Sequence, residues 1–180
     1  NGSANSTTVT YDAMSRVMSI TNPLGAFDYT YVADASTLGA GSDKGTTRLA
    51  TMTYPNGQVT NYSYYDNTGD ERLQTIDNLN SSSAVISKFD YGYDAKGQIT
   101  SWKQQADSNP ATRLDTAYDP AGQLLSAVKK TDSTNAVLKQ FDYGYDSAGN
   151  RTSEQVDTSV TQTSGNNVNQ ITGQSAGVAT

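Results

Sequence analysis

The sequence predicts an all-β fold: an antiparallel meander of repeated β-hairpins forming a curved or spiralling sheet, with little or no helix. Three observations carry that reading. Phe89-Asp90-Tyr91-Gly92-Tyr93-Asp94-Ala95-Lys96-Gly97-Gln98 returns almost unchanged as Phe141-Asp142-Tyr143-Gly144-Tyr145-Asp146-Ser147-Ala148-Gly149-Asn150, so the chain carries an internal repeat. Within it Phe89, Tyr91 and Tyr93 alternate with Asp90, Gly92 and Asp94, a period of two that puts the rings on one strand face and small or acidic groups on the other. Ser, Thr, Asn, Gln and Gly fill most of the positions between aromatics, while helix-favouring Glu and Leu are sparse.

Chain reversal is written into the same unit. Asp94-Ala95-Lys96-Gly97 reads as a type I turn whose Asp accepts from backbone amides further on, with Gly97 left-handed and closing the hairpin through a bulge. Such a turn sets Asp94 opposite Gln98 and Tyr93 opposite Ile99. The matching couples are Tyr118 with Leu124 and Tyr11 with Val17.

In chain order, the first unit is Tyr11-Asp12-Ala13-Met14-Ser15, where Ser replaces the glycine, so this turn is expected to be strained or of another type. Phe27, Tyr29 and Tyr31 repeat the alternation, and residues 35–47 follow as an irregular loop, the segment expected to be most flexible. Tyr54-Pro55-Asn56-Gly57 carries Asn-Gly and reads as a short hairpin with a different closing geometry. Tyr65, Asp66 and Gly69 restore the standard unit, and regular repeats run from about 54 to 161. Turn glycines at 69, 97, 122 and 149 lie 28, 25 and 27 residues apart, room for two strands and two turns each. The opposite turns fall at Asn80 to Ser83, Ser108-Asn109-Pro110 and Asp132 to Asn135. A degraded last repeat spans 162–172 with Asn169 in the glycine position, and 173–180 is expected to be a flexible tail. All of it reads as a single domain, 1–180, of about a dozen strands.

Composition bounds the function classes. Of 180 residues only 34% are hydrophobic and the mean hydropathy is -0.63, which favours a broad, wet sheet over a thick core. A net charge of -6 and a pI near 4.4 leave no basic footprint for phosphates, so no nucleic-acid partner is expected. No apolar run approaches the ~20 residues that span a bilayer, and Asn-Gly-Ser-Ala-Asn-Ser at the start lacks the charged and apolar regions of a signal peptide. No membrane insertion is expected. The absence of Cys and His excludes disulfides, thiolate catalysis and Cys-type zinc sites, and removes the commonest general base. A long Cys-free chain rich in Thr, Asn and Gly suits a bacterial exported protein, extracellular or at the cell surface.

The units Tyr-Asp-x-x-Gly followed by Gln, Asn or Arg stand at Tyr93, Tyr118 and Tyr145, and less perfectly at Tyr11 and Tyr65. They resemble the YD repeats of the rearrangement-hotspot (RHS) family over most of residues 9–172. The resemblance implies structural roles for Tyr11, Asp12, Tyr65, Asp66, Gly69, Tyr93, Asp94, Gly97, Tyr118, Asp119, Gly122, Tyr145, Asp146 and Gly149. In that family such repeats wind as a β-sheet spiral into a hollow shell, found in bacterial toxin complexes, polymorphic toxins and teneurins, often enclosing a toxic C-terminal domain. The sequence departs from the pattern in being shorter than a closed shell and in lacking the aspartate-rich region that ends bacterial shells. It therefore reads as an excised or processed piece, or as a small relative with another use for the repeat.

Candidate sites each have two readings. Tyr91, Trp102 and Tyr143, with Tyr93, Tyr118 and Tyr145 nearby in the pattern, offer rings for glycan stacking, but hairpin packing accounts for the same placements and is favoured. The turn carboxylates Asp12, Asp66, Asp94, Asp119 and Asp146 come one per unit, which fits turn capping better than calcium. Asp70 with Glu71, or Asp90 with Asp94, are the candidate carboxylate pairs for glycoside hydrolysis; nothing singles out either, and a shallow sheet gives little desolvation. No catalytic residue, metal or cofactor is therefore assigned. The leading reading is a non-enzymatic extracellular β-repeat scaffold. Its partners would be adjoining repeats of a longer chain, or other copies of itself, joined through sheet edges. The alternatives are a self-assembling filament subunit and a carbohydrate-binding adhesin module.

Overall fold

The structure, a computed structural model, describes residues 6–33, 45–166, 168 and 170–178. Fourteen strands form: β1 Thr8–Tyr11, β2 Val17–Asn22, β3 Gly25–Ala33, β4 Gly45–Thr53, β5 Val59–Tyr64, β6 Leu73–Leu79 and β7 Val85–Tyr93, then β8 Ile99–Ala106, β9 Thr112–Tyr118, β10 Leu124–Thr131, β11 Val137–Tyr145, β12 Arg151–Val156, β13 Ser159–Gly165 and β14 Ile171–Val178. Their order in the sheet is their order in the chain, β1 to β14, so the fold is the antiparallel meander the repeat predicts. One three-residue 3₁₀ turn, Asn67–Gly69, is the helical content of the described residues.

Within the sheet the chain divides into two compact units, Asn1–Phe89 with Ala106–Ser108, and Asp90–Gln105 with Asn109–Thr180. A meander allows this, because each described strand pairs with its neighbours in sequence.

In the first unit the register sorts side chains by face. Val9, Ile20 and Phe27 form one row, and Tyr29, Met52, Thr60 and Asn78 another. The opposite face carries Thr10, Ser19, Asp28 and Thr53, then Thr30, Thr51, Asn61 and Asp77. In the second unit Thr116, Ala127, Phe141 and Val156 line up on one face, while Ser126, Asp142 and Gln155 line up on the other. One face of each unit thus gathers most of these rings and aliphatic side chains, with Thr60, Asn78 and Thr116 among them, and the other gathers mostly hydroxyl, amide and charged groups, with Val59 and Leu79 among them. Only Ala127 and Thr60 are buried among the described residues, so stability is a sum of half-buried cross-strand pairs of about 0.2–1 kcal/mol each.

The turns close as the sequence predicts at three repeats. Asp94, Asp119 and Asp146 donate their N–H to the carbonyls of Gln98, Gln123 and Asn150, each at 3.0 Å, and Gly97, Gly122 and Gly149 take φ of 85°, 87° and 86°. The Asp94 carboxylate accepts from the amides of Lys96 and Gln98, both at 2.9 Å. Tyr118 pairs with Leu124 and Tyr11 with Val17, as expected.

Several expectations need correction. Of the two expectations for the first turn, the strained one holds and the change of type does not: Ser15 adopts φ 62° inside the same hydrogen-bonded turn, with Asp12 N–H to Arg16 O at 2.9 Å. Tyr54 to Gln58 closes in the standard way too, at 2.9 Å with Gly57 at φ 78°, because three intervening residues and a left-handed fourth position dictate that closure. The unit at Tyr65 is not standard. Asp66 caps the 3₁₀ turn, the left-handed residues are Asp70 and Glu71, and closure waits until Arg72, because two extra residues lengthen the loop. Residues 45–47 of the expected loop belong to β4, and 35–44 lie outside the described residues. Residues 173–178 of the expected tail are strand, held by pairing with β13 from Ser159↔Val178 to Ser164↔Gly173. The turn before it closes through Asn166 N–H to Gln170 O at 3.0 Å; Asn169 lies outside the described residues.

Ser15→Gly and Gly122→Ala are expected to move stability in opposite directions. Relief of a left-handed non-glycine residue raises the urea midpoint of the first variant, by about 0.5–1 kcal/mol. Alanine at φ 87° destabilises the second by about 1–2 kcal/mol. Midpoint shifts of the same sign would contradict the turn assignment.

Candidate functional site

The strand-end tyrosines act as latches between neighbouring strands. Tyr31 donates its hydroxyl to Val17 O at 2.8 Å, Tyr64 to Leu49 O at 3.0 Å and Tyr145 to Leu124 O at 3.0 Å. Arginines cover several of the rings: Arg16 lies 4.4 Å from the Tyr31 centroid, Arg48 5.4 Å from Tyr64 and Arg151 5.8 Å from Tyr143. Arg16 also donates to Thr46 O at 2.6 Å, tying its turn to β4. Burial pushes the Tyr64 and Tyr143 hydroxyls above the usual phenol value; Glu154 adds to the rise at Tyr143, and arginine opposes it at both.

The turn carboxylates are occupied by their own backbone. Asp146 is held below the usual carboxylate range by the Asn150 side chain, then by the amides of Asn150, Ala148 and Gly149. At Asp66 the Thr68 hydroxyl and then its amide do the same. Burial pushes Asp12 upward, but the amides of Arg16 and Met14 and the Arg16 side chain outweigh it. Among the described residues no group of three or more carboxylates converges as metal ligands would.

Successive turns of the second unit touch. The Gln98 side-chain amide lies 3.2 Å from where a Cβ on Gly122 would sit, and that of Gln123 lies 3.1 Å from the equivalent point on Gly149. Lys96 reaches the Pro120 carbonyl at 2.8 Å. The residue after each turn glycine therefore covers the glycine of the next turn. The repeated Gln after Gly is the sequence signal for this contact; reading it needs the lateral spacing of turns.

A charge cluster on the polar face joins β8, β9 and β10 and was not anticipated. Arg113 binds Asp115 at 2.6 Å and Asp132 at 3.2 Å, Lys130 binds Asp115 at 2.8 Å and Lys103 binds Asp132 at 2.7 Å. Asp115 is held below the usual range by its hydrogen bond from Arg113, despite burial, and Asp132 by that from Lys103. The alternation Arg113-x-Asp115 is the trace of it in the sequence.

The rings considered for glycan stacking lie on three strands, Tyr91 on β7, Trp102 on β8 and Tyr143 on β11. Trp102 on β8 pairs with Leu114, which pairs with Lys129 and through it with Lys139. Its indole N–H is buried without a hydrogen-bond partner. Tyr143 sits on β11, three strands and roughly 14 Å away. Tyr91 lies on β7. Of the candidate acid pairs, Asp70 is engaged by Arg72 at 2.5 Å and Glu71 by Arg48.

Low folded pKa values at Asp115 and Asp132 make the cluster's contribution complete above the unfolded carboxylate value of about 3.9 and lost as pH falls through the lower folded values. Asp115→Asn is expected to lower stability by about 1 kcal/mol at pH 7 and by less at pH ~2. Urea unfolding at the two pH values checks this; a deficit independent of pH contradicts it.

No family model matches the sequence, and no curated protein matches it either. Solved structures do. A crystal structure of TcdB2-TccC3-Cdc42 matches over 89% of this chain and 10% of its own, at 19% identity and TM-score 0.54. TcdB2-TccC3-TEV matches over the same shares at 19% identity and TM-score 0.53. A Photorhabdus luminescens Tc holotoxin pore matches over 83% of this chain and 9% of its own, at 20% identity and TM-score 0.50. The chain spans about a tenth of the length of these structures. At such identity the likeness is one of fold: nearly the whole of this chain takes the backbone course of a part of the TcdB2-TccC3 structures.

Proposed function

We propose that this chain is a non-enzymatic segment of a rearrangement-hotspot type wall, working outside the cell or at its surface. The observation that carries the reading is the commitment of the repeat residues to backbone geometry: turn carboxylates accept from their own amides and strand-end tyrosines latch onto neighbouring carbonyls. The likeness in fold to the TcdB2-TccC3 structures supports it. A wall needs continuity and shape, and the meander supplies both by repeating one hairpin.

A second reading has its own observation. Every residue of β14 is exposed, and the strand, Ile-Thr-Gly-Gln-Ser-Ala-Gly-Val, carries none of the charges or prolines that discourage edge pairing. A further strand added there, from adjoining repeats of a longer chain or from a second copy, extends the sheet.

Native-state digestion with trypsin and thermolysin is expected to leave residues 45–166 intact. Rapid cleavage within those strands, or turnover of a peptide or glycoside substrate that one substitution abolishes, overturns the wall. For the edge, sedimentation is expected to show reversible association that rises with concentration and disappears in Ala176→Lys. A monomer at every concentration excludes pairing between copies.

A further inference from the structure

The tyrosine latches follow a rule that one repeat breaks. Tyr31, Tyr64 and Tyr145 donate to the carbonyls of Val17, Leu49 and Leu124. Each acceptor is the register partner of the strand-end tyrosine one hairpin or more earlier, namely Tyr11, Tyr31 and Tyr118. The register shifts at each of these pairs, and the same shift recurs at Tyr145↔Arg151 and at Gly165↔Ile171. Position 165 is therefore the next latch, with the Arg151 carbonyl as its acceptor, and it holds a glycine.

A hollow stands where that ring is missing. Asn150, Arg151, Thr152, Thr163, Gly165 and Gln174 are among the walls of a space of about 220 Å³. A cavity of about 150 Å³ holds benzene and drug-sized sites run to roughly 300–1,000 Å³, so this one fits a single six-membered ring. Crowding does not account for the glycine. A Cβ at Gly165 would meet nothing nearer than Gln170 O at 3.6 Å, an ordinary contact, whereas at Gly122 and Gly149 a neighbouring side chain stands at 3.2 and 3.1 Å. The charged groups at the margin are already matched, Asp146 by the amides of Ala148 and Asn150 and Arg151 by Glu154 at 3.3 Å, which favours an uncharged occupant. A carbonyl oxygen has two lone pairs, so Arg151 O has capacity for a hydroxyl beside a backbone amide.

We propose that this hollow is a binding site for one phenol ring, the chemistry of a tyrosine side chain, seated as Tyr145 is one repeat earlier and donating its hydroxyl to Arg151 O. The inference rests on the latch rule and does not depend on the wall reading.

The test titrates the whole ¹⁵N-labelled chain with p-cresol, a tyrosine side chain without its backbone, following the side-chain amides of Asn150 and Gln174 and the backbone amide of Gly165. All three signals are expected to move together and to saturate with Kd of order 1–10 mM. Toluene, the same ring without the hydroxyl, is expected at equal concentration to move them about threefold less. N-acetyltyrosinamide separates the two sources of the ring: binding as tight as that of p-cresol assigns the site to a tyrosine of another segment, and clearly weaker binding assigns it to a free phenol. Gly165→Tyr is expected to raise the unfolding midpoint and abolish p-cresol binding, because its own ring fills the space, while Gly165→Ala keeps the binding. No shift with p-cresol, shifts confined to residues away from the hollow, or equal response to toluene each overturn the proposal on the unaltered chain. Undiminished binding to folded Gly165→Tyr overturns it as well.

Discussion

The structure depends on one constraint, the placing of a left-handed residue at the fourth position of each five-residue turn. When Gly97, Gly122 and Gly149 take φ near +86°, the flanking Asp and Gln or Asn are brought opposite each other and the register of the whole hairpin follows. A one-residue slip would turn every ring to the polar face. The Asp carboxylate reinforces the choice locally, because two amides left over by the tight reversal find their acceptor within the same five residues. Fixing geometry at each turn lets a chain with little hydrophobic content form a long sheet.

The same locality explains why almost nothing is buried. A sheet held by a core can tolerate loose turns, since burial of large side chains selects the register. Here only Ala127 and Thr60 are buried, and the apolar face gains its stability from pairs such as Ile20 with Phe27 and Ala127 with Phe141. The polar face contributes through hydroxyl pairs, Thr30 with Thr51 at 2.5 Å and Ser63 with Thr75 at 2.7 Å, and through the ion pairs around Arg113. Each contact is individually weak. Their sum is spread along the chain, so local loss costs a hairpin and leaves its neighbours a register of their own.

Legibility in the sequence follows from this. Most of what is set within five residues was readable, namely the period of two, the Asp-to-amide caps and the pairings Tyr11 with Val17 and Tyr118 with Leu124, while the closure from Tyr54 to Gln58 was misread. What depends on neighbours across strands was not. The covering of Gly122 by Gln98, the Tyr145 latch on Leu124 and the hollow at Gly165 join residues brought side by side by register. The unit at Tyr65 shows the limit from the other side. Its letters fit the motif, yet two added residues shift the left-handed positions to Asp70 and Glu71, an effect of loop length that matching letters conceals.

That exception also shows what the repeated glycine is for. Left-handed backbone alone does not demand it: Ser15, Ser83, Asp107, Asn135 and Asp157 all hold positive φ with ordinary side chains. Gly57, Gly122 and Gly149 differ in having a neighbouring hairpin's side-chain atom within 3.1, 3.2 and 3.1 Å of the place a Cβ would occupy. Gly69, whose φ is not positive, is hemmed in at 2.5 Å by Tyr65. Close approach is therefore the property shared by these four, while φ is shared with many other residues. At these positions glycine records how tightly turns pack on their surroundings, whereas at position 15 the bend forms with a serine in its place.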